Sequence, residues 1–279
     1  MKIAISADST CDLSAELTEK YQITKMPIIV TLGEKEYQDG VDITRDMLYD
    51  YINSTGTLTK TAARSIYEYK EYFENLLQTC DHVFHFSLSF KLSATGSNAL
   101  KASEEIGTDK VTVIDTKSLS TGSGLLVISA CEKAQEGKDV ETIKTEILQM
   151  REKIQASFLV DTLKYLHKGG RCSSVALLGA NILKIKPRIS LVDGEMKVTK
   201  KYMGNINASL IKYVKEMLAE CPPNLKRVFV TRSSDMEITE SVMQTLKDFG
   251  FEEVLSTYAG CTVCTHCGPN TLGILYEKA

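Results

Sequence analysis

Three thiols in this chain stand at a spacing that suggests chemistry. Cys261, Cys264 and Cys267 recur every third residue, with His266 beside the last. A ferredoxin-type run requires a fourth cysteine after three further residues, and that position is Thr271. Three thiolates and His266 could hold a tetrahedral zinc ion, and any Cys-x-x-Cys pair could act as a redox dithiol, so both chemistries stay open. Nucleotide chemistry is not signalled. No phosphate-binding G-x-x-x-x-G-K-[ST] loop is present, and Gly122-Ser123-Gly124 lacks the third glycine of a dinucleotide fingerprint. The metalloprotease and nucleophile-elbow motifs are also missing.

Hydroxyls, glycines and one histidine recur in four other segments. These are Thr61-Ala62-Ala63-Arg64-Ser65, Lys91 to Ala99, Phe158 to Arg171, and His266 to Gly273. The second places Ser93, Thr95 and free backbone N–H groups at a predicted helix start, where a carboxylate or phosphate is favoured. The same residues also read as an ordinary helix cap. His266 reads either as a ligand or as a core histidine bonded to a backbone carbonyl, and Arg171 either as a functional cation or as a surface charge. Asp8 and Asp115 each end a predicted strand and read first as structural caps.

The elements that position these residues follow from hydrophobic period. Strands are predicted over Ile3 to Ala7, Met26 to Val30, His82 to Phe86 and Lys110 to Asp115. Helices are predicted at about Ser14 to Tyr21, from an N-cap at Thr44 through Tyr51, and at Ser65 to Thr79, Ser93 to Glu105, Gly122 to Glu136 and Asp139 to Gln155. Gly33 and Asp39-Gly40 punctuate a turn-rich stretch. Strands alternating with helices imply a mostly parallel sheet covered on both faces. A second series begins at 156–160. Asp193-Gly194 marks a hairpin between Arg188 to Val192 and Glu195 to Val198. A helix from Ile206 to Ala219, a strand over Arg227 to Val230, a helix from Glu237 to Phe249, and strands over Glu253 to Thr257 and Gly273 to Tyr276 complete the chain. The expected fold class is α/β, with two domains (1–155 and 156–279), each a largely parallel sheet flanked by helices.

Taken in order, these segments resemble the DegV family of bacterial fatty-acid-binding proteins along essentially the whole length. The resemblance rests on Asp8-Ser9-Thr10, the Thr61 and Ser93 segments, the Val160-Asp161-Thr162-Leu163 to Gly169-Gly170-Arg171 run, and the His266-x-Gly268-Pro269 ending. It implies that one long-chain fatty acid lies between the two domains. Thr61, Ser93, the backbone N–H of Ala94 and His266 then hold its carboxylate. It further implies a non-catalytic protein with no cofactor, which hands its acid to a separate fatty acid kinase, with Arg171 at a position linked to that step. The sequence departs from the family at three points. Ala62-Ala63-Arg64 replaces Ser-Gln-Pro, Ala94 replaces a glycine, and Lys201-Tyr202-Met203 replaces a basic Arg-Thr-Arg-Lys-type run.

Such a ligand makes physical sense of the hydroxyl-rich segments. A sixteen-carbon tail offers roughly 10 kcal/mol of transfer free energy before binding costs. The carboxylate is the difficulty, because a buried, unpaired anion is prohibitively expensive. Two hydroxyls, a backbone N–H and an imidazole can satisfy it.

Composition excludes other classes. A net charge of −3 without a basic cluster argues against a nucleic-acid partner. No run approaches the length of a bilayer span, so no stable membrane insertion is expected. The apolar start, Met1 to Ala7, is too short for a signal-peptide core. A cytosolic protein is expected, with its eight cysteines as thiols.

Overall fold

The computed structural model describes residues 1–172 and 185–279. The chain opens with β1 (Ile3–Asp8), a 3-10 turn (Ser9–Cys11), α1 (Ala15–Lys20), β2 (Thr24–Met26), β3 (Ile29–Leu32) and β4 (Lys35–Gln38). It continues through α2 (Arg45–Thr55), β5 (Lys60–Ala62), α3 (Ile66–Leu77), β6 (His82–Ser87), α4 (Thr95–Ile106) and β7 (Val111–Asp115). Next come α5 (Thr121–Gln135), α6 (Val140–Arg151), β8 (Ile154–Leu159), α7 (Lys164–Gly169), β9 (Ile185–Val192) and β10 (Glu195–Met203). Last are α8 (Ile206–Glu220), β11 (Pro223–Arg232), α9 (Thr239–Phe249), β12 (Glu253–Tyr258), α10 (Cys261–Cys267) and β13 (Leu272–Lys278).

Several elements carry their own start signals. Ser65 caps α3 in a full capping box with Glu68, and Thr44 accepts the Met47 N–H at the start of α2. Asp193 and Gly194 both adopt positive φ, 50° and 79°, as a two-residue hairpin turn demands. The helix expected over 139–155 stops earlier, at Arg151, and β8 begins at Ile154.

Among the described residues the strands form three sheets. The first, β2-β1-β6-β7, is wholly parallel, as the strand–helix rhythm of the first half requires. The second, β10-β9-β8-β13-β11-β12, corrects the expectation of a largely parallel sheet in the second half. Only β11 and β12 pair in parallel there. The other neighbours run antiparallel. The physical reason lies in the connections. The Asp193-Gly194 hairpin reverses the chain directly, and β13 inserts between β8 and β11 against the direction of both. Of the neighbouring strands only β11 and β12 are parallel, joined by the crossover helix α9. The third sheet, β4-β3-β5, is a short antiparallel one that lies partly in the stretch read as turns.

Helix α5 explains how the two halves share a core. Its residues Thr121 to Ile128 are all buried, and it packs on β1 and β6 of the first sheet and on β8 and β13 of the second. A helix apolar around its whole circumference belongs between layers. Its glycines permit the close approach: a Cβ on Gly122 would stand 2.2 Å from Ser118 Oγ, and one on Gly124 2.9 Å from the Cys11 carbonyl. One apolar cluster therefore joins Ala7, Phe86 and Leu126 to Ala156, Phe229 and Leu275.

Candidate functional site

Thr61 sits on β5, paired opposite Val30 of β3. His266 sits in the last turn of α10, and its Nε2 lies 2.9 Å from Thr61 Oγ1. The two residues are 205 positions apart in sequence. Burial lowers the His266 pKa to about 4, helped by the nearby positive charge of Arg171. The imidazole is therefore neutral at pH 7, donating from one nitrogen and accepting on the other. Its Nδ1 is buried and has no partner among the described residues, and it faces Gly169, where a Cβ would stand only 2.5 Å away.

The helix bearing His266 is held from its start by the first half of the chain. Asp39 accepts the N–H groups of Cys261 and Thr262 at 2.8 and 3.2 Å, and Asp12 accepts that of Gly260 at 2.8 Å. Ser9 donates to Asp39 and Ser120 to Asp12. Negative charge at a helix N-terminus is stabilising. Burial raises the Asp12 pKa to about 7, partly offset by those hydrogen bonds.

Ser93 precedes α4. Its hydroxyl accepts from the Thr95 N–H at 3.2 Å and donates to Thr95 Oγ1 at 3.0 Å. The loop leading to it is anchored on Asp8, whose Oδ2 accepts from Ser87 Oγ at 2.6 Å and from the Leu88 N–H at 3.1 Å. Asp8 Oδ1 is engaged by Tyr69 and His85, and His85 in turn bonds Ser6. Asp115 likewise accepts from the N–H groups of Phe90 and Lys117. Both carboxylates are thus loop anchors.

Thr61, Ser93, Ala94, Arg171 and His266 all line one cavity. Its volume is about 190 Å³. Its walls are apolar: Ile28, Leu88, Leu92, Leu119, Phe158, Leu166, Met196 and Val263. Arg171 is exposed and donates to the Gly169 carbonyl. Two lining residues escaped the reading of the sequence. Thr10 and Thr262 each hold a buried hydroxyl with no partner among the described residues. Thr10 lies in the Asp8-Ser9-Thr10 segment, and Thr262 stands one helical turn before His266; that i, i+4 spacing was the available signal.

The cysteine run proves to be a helix. All three thiols are buried and free, and each donates to a backbone carbonyl: Cys261 to Ile43, Cys264 to Ala259 and Cys267 to Val263. Burial pushes Cys261 and Cys267 up to about 12, and Cys264 well up too. A thiol held protonated is a poor nucleophile and a poor ligand. Among the described residues no group of His, Cys, Asp and Glu side chains is placed to hold a metal ion. Nothing in this arrangement supports the redox or metal reading.

The architecture is that of an α/β protein with an apolar cavity closed by hydroxyls and one neutral imidazole. Residues 2–279 match the profile of the family described as "Uncharacterised protein, DegV family", and the chain belongs to that family. It is 30% identical to a DegV domain-containing protein of Caldanaerobacter subterraneus subsp. tengcongensis over 99% of both chains. It is 32% identical to one of Clostridium perfringens, again over 99% of both. Its structure is similar to that of a DegV family protein from Thermus thermophilus described by its fatty acid binding (TM-score 0.93, 26% identity, 100% of both chains). It also resembles DegV from Bacillus subtilis, a fatty acid binding protein (TM-score 0.86, 25% identity, 100% of both). A third neighbour is a stearic acid-binding protein from Eubacterium ventriosum (TM-score 0.88, 26% identity, 99% of this chain and 98% of the other).

Proposed function

We propose that this protein binds one long-chain fatty acid with its carboxylate at Thr61, Ser93, the Ala94 N–H and His266 and its tail along the apolar walls. The observation that carries the reading is the meeting of Thr61 and His266 at 2.9 Å on the wall of a cavity that Ser93 also lines. A neutral imidazole suits this task. With the proton on Nε2 it donates to Thr61 Oγ1, leaving the threonine hydroxyl free to donate to an anion. The fatty acids bound by the structural neighbours support the ligand class.

The halves 1–155 and 156–279 act as the two domains that supply the opposite walls. The protein catalyses nothing itself. It presents the acid to a separate fatty acid kinase for acyl-phosphate formation, with exposed Arg171 at the cavity rim as the contact for that partner. Its place of work is the cytoplasm, where its eight cysteines stay reduced. No helix among the described residues is long and apolar enough to cross a membrane.

The test is direct. Denaturing extraction of the purified protein followed by mass spectrometry should yield about one long-chain acid per chain. Protein without lipid, and unable to take up palmitate after purification, would refute the reading.

A further inference from the structure

Thr61 and Ser93 reach the cavity on separate elements, β5 and the loop before α4, and among the described residues no hydrogen bond joins them. Thr61 Oγ1 meets His266, and Ser93 Oγ meets Thr95. Whatever holds the two hydroxyls at a fixed distance must act through the chain that carries them. That chain leaves β5 after Ala62 and enters α3 through Ala63, Arg64 and Ser65. Ala62 and Ala63 still line the cavity, whereas Arg64 does not.

The ladder between β3 and β5 pairs Thr31 with Lys60, Val30 with Thr61 and Ile29 with Ala62, and then stops. The next residues on the β3 side have their backbone groups engaged or missing. The Ile28 N–H donates to Ser9 Oγ at 3.1 Å, and the Ile28 carbonyl accepts the Asp39 N–H at 2.9 Å. Pro27 has no N–H to give. Only its carbonyl is left, and Arg64 stands opposite it in the continued register. The arginine reaches that carbonyl with its side chain, Nε donating at 2.6 Å. Nη1 of the same guanidinium donates to Glu68 Oε1 at 2.7 Å, and Glu68 Oε2 closes the capping box on Ser65. The Arg64 carbonyl accepts from Asn98 Nδ2 at 2.7 Å. Asn98 lies in the first turn of α4, and its N–H donates to the Ala94 carbonyl. The Arg64 side chain is only 12% exposed, so these partners rather than water hold its charge. A planar guanidinium can supply both side-chain bonds in one fixed fork.

We propose that Arg64 is a positioning residue of the head-group site. It ties the exit of β5 to Pro27, to the start of α3 and to the start of α4, and so holds the Thr61 hydroxyl at its working distance from Ser93. This inference rests on the fatty-acid reading above. Arg64 acts through Thr61 and touches no ligand. A proline at this position, as in the resembling family, stiffens the chain by its ring; here three hydrogen bonds do so.

The experiment uses the full chain stripped of lipid, with palmitate as the probe and calorimetric dissociation constants as the readout. Arg64→Ala should weaken palmitate binding about fivefold. Arg64→Pro should bind as wild type does, because the ring restores the stiffness. In a Thr61→Val background, Arg64→Ala should change affinity less than about twofold, because no hydroxyl is left to place. If Arg64→Ala proves unfolded by circular dichroism, Arg64→Lys, which keeps the charge and loses the fork, replaces it in the same cycle. Wild-type affinity in the folded variant, an Arg64→Pro chain no tighter than it, or an equal loss with and without the Thr61 hydroxyl overturns the positioning role and leaves the fatty-acid site standing. Wild-type protein that takes up no palmitate overturns both.

Discussion

Asp39 accepts the backbone N–H groups of Cys261 and Thr262, so a carboxylate from the first half of the chain begins the helix that carries His266 in its last turn. The pairing of His266 with Thr61 depends on that anchor, because a seven-residue helix has little stability of its own.

Replacing Asp39 by Ala should cost about 1–2 kcal/mol of stability in urea unfolding, the usual loss for a removed helix cap. Fatty acid affinity should fall as well, since His266 loses its placement. Asp39→Asn keeps one acceptor and should fall between. Wild-type affinity in Asp39→Ala would show that α10 needs no anchor.

Thr61→Val keeps the shape of the side chain and removes its hydroxyl. Palmitate binding should weaken by about 1–3 kcal/mol, the range for a lost bond to a charged group. Ser93→Ala should behave similarly. A titration that gives wild-type constants for both variants would eliminate these residues as head-group ligands.

Stability should respond to pH through two groups of opposite sign. His266 has a folded pKa of about 4 against about 6.5 when unfolded, so between these values the unfolded chain binds the extra proton. Its contribution is complete above pH 6.5 and is lost as pH falls toward 4. Asp12, raised to about 7 from 3.8, works the other way, and its contribution is lost as pH rises through 7. In lipid-free wild type the two nearly cancel between pH 4 and 6.5. His266→Gln should therefore gain on wild type by roughly 3 kcal/mol between pH 7 and pH 4. Asp12→Asn should show the opposite slope. Parallel stability profiles for His266→Gln and wild type would contradict a neutral, buried imidazole.

Thiol labelling separates buried cysteines from reactive ones. Cys80 and Cys221 are partly exposed, and the other six are buried. Brief iodoacetamide treatment at neutral pH should modify only those two, with Cys261, Cys264 and Cys267 reacting after unfolding. Rapid native modification at Cys264, read by mass spectrometry, would reopen thiol chemistry for α10.

Local signals in the chain were readable where the physics is local. Ser65 and Glu68 announce their helix by the spacing of a capping box, and Asp193-Gly194 announces its turn because few residue pairs tolerate two positive φ angles. The alternation of strands and helices before residue 155 dictates a parallel sheet. The same logic failed after 155, because strand direction there depends on where β13 inserts, a choice made by packing and invisible to periodicity. At Cys261 to Cys267 the metal and dithiol chemistries stayed open as alternatives, since spacing alone cannot tell a helix of buried thiols from a metal loop.

The sequence alone determined which residue types were available: hydroxyls at Thr61 and Ser93, an imidazole at 266, and enough apolar side chains to wall a cavity. Only the tertiary structure decided that Thr61 and His266 touch, that Asp39 and Asp12 hold the helix between them, and that Cys261, Cys264 and Cys267 are sealed from solvent. Propensity and capping act over a few residues, whereas a hydrogen bond across 205 positions exists only once the sheets have packed around α5.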